Sequence, residues 1–396
     1  MTGKIRNALI IGGGVAGPVL AMALQKAGID SVVYEAYAGT ADGKGGGLSI
    51  APNGMEALKV IDADEPVRAL GKPMTGIVLQ DWKGDRLGEF GNPPGIAPML
   101  FMFRHEVYRA LLDEAAKRGI RIETGKRLVD AVETTDGVTA RFADGTEATG
   151  DILIGADGIR SVTRKLIDPN APEPAYTGLI SFGALIPQPG VPSTGGKMNM
   201  PFGKKGFFGY QVFDDDTAVW FVNLPNPEPL TLAQVKETPA EEWLRRLPPL
   251  YAEDRTPAAD LIARTAPEEL ILVGPMEKMP RVPKWSRGRL VLVGDSVHAP
   301  SSSSGQGASL AIESAIELAR CLRDLPYDEA FSAYEQTRRP RVERVIAATD
   351  RKNAAKAAGP VMRVINAWAI KAFARMAKPE KMAWVFQNRI DWDSPA

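Results

Sequence analysis

The chain has 396 residues, and its 48 Lys plus Arg balance 48 Asp plus Glu. That balance excludes the basic footprint of a protein committed to nucleic acid and favours a small-molecule partner, while the length allows two or three domains, since single cores seldom grow past roughly 250 to 300 residues. A lone cysteine, Cys321, and two histidines, His105 and His298, exclude an intramolecular disulfide and a thiol-rich metal centre. No H-E-x-x-H spacing supports zinc or iron, so no metal site is expected. The single cysteine fits a reducing cytoplasm.

Along the chain, ALIIGGGVAGPVLAMAL (8–24) is apolar enough to be mistaken for a signal peptide or a membrane helix, but its glycine cluster argues against both; no integral membrane segment is expected. The longer stretch from Asn7 to Ala36 reads as strand, tight turn, helix and strand. Gly12, Gly14 and Gly17 fill G-x-G-x-x-G, and Glu35 ends the second strand about 20 residues on. Gly12 permits the turn, Gly14 lets backbone approach a pyrophosphate, Gly17 lets helix and strand pack closely, and Glu35 accepts from a ribose hydroxyl. These residues alone leave NAD or FAD open.

A glycine run (43–47) precedes a helix from about Asn53, and Arg104 precedes a second helix, 105–119, with apolar positions 107, 111, 112 and 115 on one face. Residues 76–98 read as strand and proline-rich loop. Asp136-Gly137 and Asp144-Gly145 mark hairpins leading into DILIGADG (151–158). GLISFGALI (178–186), GFFGYQVF (206–213) and TAVWFVNL (217–224) then read as an antiparallel sheet outside the nucleotide unit. The nucleotide pattern returns at GRLVLVGDSVHAP (288–300), followed by a helix over 307–325 and a helical, basic tail from 330, whose bland reading is a solvated face rather than a membrane-docking one.

Three motifs, Gly12 to Gly17, DGIRSVTR with Asp157, Gly158, Ser161 and Arg164, and Gly294-Asp295 running on to GQG at 305–307, occur in the order and spacing that resemble the single-component FAD-dependent aromatic hydroxylases of the para-hydroxybenzoate hydroxylase type. The resemblance covers most of residues 5–345. It implies an α/β chain: a discontinuous Rossmann-like FAD-binding domain (1–75, 100–172, 279–345), an inserted antiparallel-sheet substrate domain (76–99, 173–278) and C-terminal helices (346–396). It further implies that Gly12, Gly14, Val15, Ala16, Gly17 and Glu35 hold FAD, with Ser49, Arg104, Leu128, Asp157, Arg164 and Asp295. Gly305, Gln306, Gly307 and Ala308 would open a helix toward the flavin pyrimidine edge, where a helix N-terminus stabilises the negative charge of reduced flavin.

The implied activity is a monooxygenase consuming NADPH or NADH and O2, hydroxylating or epoxidising an aromatic or polycyclic molecule through a flavin C4a-hydroperoxide. The expected assembly is a monomer or homodimer. No catalytic acid–base pair is identified; Tyr210, Phe208, Phe221 and Ser302 are expected to line the substrate pocket, with Tyr210 orienting a phenol. One departure stands out: relatives place a proline four residues after the motif histidine, where this chain has Ser302. Alternative readings are a flavin reductase or dehydrogenase of the same fold and a non-oxygenating FAD-binding protein. A serine hydrolase built on Asp295, His298 and a serine lacks its G-x-S-x-G elbow, and a halogenase lacks W-x-W-x-I-P.

Overall fold

The computed structural model describes residues 5–39, 46–356, 369–372 and 383–396. In chain order the first half forms β1 (Asn7–Ile11), α1 (Ala16–Lys26), β2 (Asp30–Tyr34), β3 (Gly47–Ile50), α2 (Pro52–Lys59), α3 (Asp64–Arg68), β4 (Lys72–Met74), β5 (Gly76–Asp81), β6 (Arg86–Gly91), β7 (Met99–Phe103) and α4 (Arg104–Lys117). Next come β8 (Arg121–Glu123), β9 (Leu128–Glu133), β10 (Val138–Phe142), β11 (Glu147–Gly150), β12 (Ile152–Gly155) and α5 (Val162–Ile167). The remainder is β13 (Ala175–Pro187), β14 (Lys197–Phe202), β15 (Phe207–Val212), β16 (Thr217–Pro225), α6 (Leu232–Glu237), α7 (Ala240–Arg246), α8 (Pro248–Tyr251), α9 (Ala258–Ala263), β17 (Ile271–Lys278), β18 (Ser286–Arg287), β19 (Leu290–Leu292), α10 (Asp295–His298), α11 (Gly307–Asp324) and α12 (Tyr327–Lys356).

Apolar runs without alternation make strands buried on both faces. Ala8 to Ile11, Ile152 to Ile154 and Leu290 to Leu292 are such runs, and they form the centre of a sheet ordered β18-β19-β12-β1-β2-β8. Its pairs are parallel except β18–β19. One face is closed by α1, buried over nine of its eleven residues, and by α11 beside it. The two Asp-Gly hairpins fold as expected into a small sheet, β11-β10-β9.

The second large sheet is ordered β17-β13-β16-β15-β14-β5-β6. The sequence reading made it antiparallel; β14 and β5 instead run parallel, because their link is not a hairpin but the whole span from β6 to β13. Side chains alternate across it. Phe182, Phe208, Tyr210, Trp220 and Val222 pack under α7, α8 and α9, while Val219, Phe221, Leu185 and Met198 face Met74, Phe101 and Phe103 of the β3-β7-β4 sheet. The short helices α6–α9 escaped the sequence reading because Pro239, Pro248, Pro249 and Pro257 keep each to seven residues or fewer. Of the expected C-terminal helices, α12 reaches Lys356 and residues 369–372 and 383–386 are helical; 357–368 and 373–382 lie outside the described residues.

Candidate functional site

The three glycine-bearing loops meet at the carboxyl ends of β1, β12 and β19, where ligands of open parallel sheets bind. Ala156 N–H donates to Ile11 O at 2.8 Å, and Val293 N–H donates to Gly155 O at 2.9 Å. Gly12, at φ +108°, crosses this junction so closely that a Cβ would lie 2.4 Å from Ala156 O, which only glycine tolerates. Ser296 Oγ donates to Gly155 O at 2.7 Å, and Arg164 donates to Ser296 O at 2.9 Å and Ile159 O at 2.8 Å. Arg164 is 1 % exposed, so its guanidinium ties the second motif to the third instead of facing the cleft. Asp157 likewise works inward: Ser161 Oγ (2.5 Å), Thr163 N–H and Thr163 Oγ1 (both 3.0 Å) donate to its carboxylate, shaping the turn into α5.

Around this hub, several groups remain open to a ligand. A Cβ on Gly14 would meet nothing nearer than the Tyr108 hydroxyl at 3.7 Å, so the protein leaves that space unfilled. Next to it α1 starts after Val15 without a side-chain cap, leaving N–H donors and the positive end of the helix dipole for an anion. Glu35 is held at the loop mouth, its carboxylate accepting from Gly13 N–H at 2.6 Å and Tyr37 N–H at 3.0 Å. Arg104 opens α4, and its Nε donates to the Tyr108 hydroxyl. Ser49 is half-buried in β3 opposite Phe101. The Leu128 side chain is packed in the core, and Val129 beside it is exposed.

Asp295 opens α10 at the end of β19. No described residue hydrogen-bonds its carboxylate; burial raises its pKa, opposed by the charge of Arg104. Beyond it, α11 begins at Gly307 with Gln306 as N-cap and no side-chain cap. Gln306 is buried and accepts from Asn53 Nδ2 at 3.2 Å, while Ser304 Oγ accepts from Gln306 N–H at 2.9 Å. Gly307 and Ala308 are half-buried at the helix mouth, and Gly305, at φ +62°, makes the turn into it. The serine run therefore shapes the entry to α11, which the sequence did not reveal: Ser302 is exposed in a 3-10 turn with Ser304, and Pro300 lies 3.7 Å from the Cβ position of Gly307.

His298 is no base. Its Nε2 and Ser314 Oγ are 2.8 Å apart, Trp285 packs on its ring, and burial with the charge of Arg338 lowers its pKa to about 3. Arg338 also pairs at 2.7 Å with the buried Glu313, which Arg341 meets at 2.8 Å and Asn53 at 2.7 Å, so the network fixes α11 from behind.

The substrate-pocket expectation is corrected for two residues. Phe208 stacks on Trp220 at 6.0 Å and meets Tyr251 at 5.6 Å, and Tyr210 shares that helix-covered face, where burial raises its pKa. Strand alternation puts both on the side of the sheet away from the motif loops. Phe221 is on the opposite side, with Phe101, Phe103, Phe213 and Met99, and Met99 lies 3.2 Å from the Cβ position of Gly305. Of this wall, continuous with the third motif, the sequence reading named Phe221 but not Met99, Phe101 or Phe103, because MLFMF (99–103) is apolar at every position and shows no face.

The unfilled space at Gly14, the two uncapped helix starts and the unpartnered Asp295 suit a dinucleotide whose pyrophosphate, polyol and electron-accepting ring pass along one cleft. Comparison with known proteins agrees. The chain matches a family model described as FAD binding domain over residues 6–208 and 263–349. It is 31% identical to 2-heptyl-3-hydroxy-4(1H)-quinolone synthase of Pseudomonas aeruginosa, with 85% of each chain covered. It is 28% identical to FAD-dependent urate hydroxylase of Klebsiella pneumoniae, with 91% of this chain and 93% of the relative covered. The solved structure of Klebsiella pneumoniae HpxO complexed with FAD and uric acid superposes with a TM-score of 0.84 at 25% identity, covering 96% of each chain. The cleft and these likenesses together place the chain in the FAD binding domain family, as a flavoprotein of the single-component FAD-dependent aromatic hydroxylases.

Proposed function

We propose that this chain oxidises NADPH or NADH and uses the two electrons, with O2, to hydroxylate or epoxidise an electron-rich aromatic or polycyclic molecule. In the hydroxylation, one oxygen atom enters a ring C–H bond and the other leaves as water with the reductant's hydride and a proton. Bound FAD supplies the two-electron chemistry and the activation of O2; the protein supplies position, charge and exclusion of water. The observation that carries the reading is the cleft itself, with three cofactor-type loops on one side and the apolar wall of Met99, Phe101, Phe103 and Phe221 on the other.

In this reading Gly12 to Gly17 and the start of α1 receive the pyrophosphate, Glu35 a ribose hydroxyl, and the Leu128 backbone the adenine. Arg104 contributes charge beside the cofactor, and Asp295 accepts from the ribityl hydroxyls. The N–H groups at Gly307 and Ala308 face the pyrimidine edge, where preorganised donors stabilise negative charge. Asp157 and Arg164 act as positioning residues. The names of the relatives point to oxo- and hydroxy-substituted N-heteroaromatics as the first compounds to try. A chain whose only cysteine is Cys321, and which therefore forms no intramolecular disulfide, fits a reducing compartment such as the cytoplasm.

The test is stopped-flow flavin reduction of the holoprotein by NADPH and by NADH against urate, 6-hydroxynicotinate, 4-quinolones and simple phenols, followed by turnover under 18O2. A substrate that accelerates reduction and acquires one 18O atom is the expected result. Accelerated reduction with no label in any product would leave a reductase and overturn the proposal.

A further inference from the structure

Resting on the reading that Gly12 to Gly17 and the start of α1 receive a pyrophosphate, we infer that Tyr108, a residue outside the three motifs, binds the cofactor too: its hydroxyl donates to that pyrophosphate and selects ligands that carry one. Tyr108 follows Arg104 by one turn, so both side chains lie on one face of α4. Val107, Leu111 and Ala115 form the buried stripe of the helix, and Tyr108, half-buried beside it, stands at the border between that core and the cleft. Here α4 packs on α1, and the Tyr108 hydroxyl is the nearest side-chain atom to the Cβ position of Gly14, at 3.7 Å.

The hydroxyl is held in place with one bond still to make. Arg104 Nε donates to it, and the guanidinium stands 5.1 Å from the ring centroid. A capping box fixes the start of α4 that carries both residues, Glu106 accepting from Phe103 N–H at 3.1 Å. A phenol offers two lone pairs and one proton; Arg104 fills a lone pair, and no described residue accepts the proton. Burial raises the pKa of the phenol, Arg104 opposes it, and the charges of Asp295 and Glu35 add to it, so the proton stays on at neutral pH. The same two carboxylates locate the group. Glu35 stands at the ribose end of the cleft and Asp295 at the ribityl end, and the hydroxyl, in the field of both, lies between them, where FAD carries its pyrophosphate.

An O–H polarised by a neighbouring guanidinium is a strong donor toward a phosphate oxygen. It discriminates by the diphosphate and not by the rings: FAD and ADP gain the bond, whereas adenosine and riboflavin, which end on either side of it, do not. This donor is also separable from the fold. Phenylalanine keeps the ring against Arg104 and α1 and removes only the hydroxyl, whereas the backbone donors of the glycine loop cannot be deleted singly.

Calorimetric titration of the deflavinated protein tests this without reductant or turnover. Wild type and Tyr108→Phe are titrated with FAD, alone and against ADP, adenosine or riboflavin as competitor. Tyr108→Phe is expected to weaken FAD and ADP about tenfold or more, as for a lost hydrogen bond to a charged group, to leave adenosine and riboflavin within about twofold, and to unfold without FAD at the wild-type temperature. Phosphorus NMR at saturating FAD is expected to show the bound pyrophosphate resonances displaced in Tyr108→Phe. FAD and ADP affinities that match wild type, or equal weakening of all four ligands, would overturn the assignment and leave Tyr108 a packing residue. A wild type from which ADP fails to displace FAD would instead overturn the reading of the cleft on which the assignment rests.

Discussion

Gly14 and Gly17 belong to one motif, but the structure gives them different tasks, and alanine at each should fail differently. At Gly14 an added Cβ has no protein atom nearer than 3.7 Å, and the residue is not among those with positive φ. Gly14→Ala therefore folds, and the loss of chain freedom in the unfolded state stabilises the FAD-free protein by about 0.4–1 kcal/mol. The methyl group instead takes the space that the proposed function assigns to the pyrophosphate. Losing one charge-assisted hydrogen bond there costs about 1.5–3 kcal/mol, which is about 10- to 150-fold in Kd. At Gly17 a Cβ would lie 2.0 Å from Gly12 O, a backbone atom that cannot rotate away. The helix must back off the strand, at a cost typical of overpacking, about 1–3 kcal/mol or more. Fluorescence titration of the deflavinated proteins with FAD and thermal unfolding of the same samples separate the two. If Gly14→Ala bound FAD like wild type, or unfolded as early as Gly17→Ala, the division of labour argued here would be refuted.

Two further outcomes follow from buried ionisable groups. The folded pKa of Asp295 is raised by burial, so its ionised form opposes folding, and stability falls as pH rises from the unfolded value through the raised folded one. Asp295→Asn should then raise the pH 7 unfolding temperature of FAD-free protein while weakening FAD binding about tenfold or more, from the lost hydrogen bond to a charged group; a fall in both would make Asp295 structural. His298 shows the opposite perturbation: folded, it stays neutral down to about pH 3, whereas an unfolded histidine takes its proton near 6.5. Stability is lost as pH falls below about 6.5, by about 2 kcal/mol at pH 5. Urea unfolding at saturating FAD should show His298→Asn losing about that much less than wild type between pH 8 and pH 5, and parallel curves would contradict the assignment.

Much of the flavin side of the cleft was legible because its signals are local. A glycine pattern between an apolar strand and an apolar helix, with Glu35 at the end of the next strand, states its own geometry, and so do the Gly-Asp pair at 294–295 and the helix opened by GQG. Arg164 and Asp157 show where such reading stops. The motif names the residues, yet only the packing of α5 against Ser296 turns the arginine inward.

The substrate side was less legible for a related reason. Period-two alternation divides Phe208 and Tyr210 from Phe207 and Phe221, but nothing in the strands says which set the helices will cover. That choice belongs to α7–α9, whose segments are too short and proline-broken to announce themselves.

By itself the sequence determined the βαβ unit at residues 7–36 and the three glycine-bearing loops, since each is written in a local pattern of apolar runs, glycines and acids, and the order of the three motifs carried the resemblance that implies FAD. Tertiary structure alone decided which aromatic face the helices cover and which faces the β3-β7-β4 sheet and the third motif, because those contacts exist only once separate elements have packed.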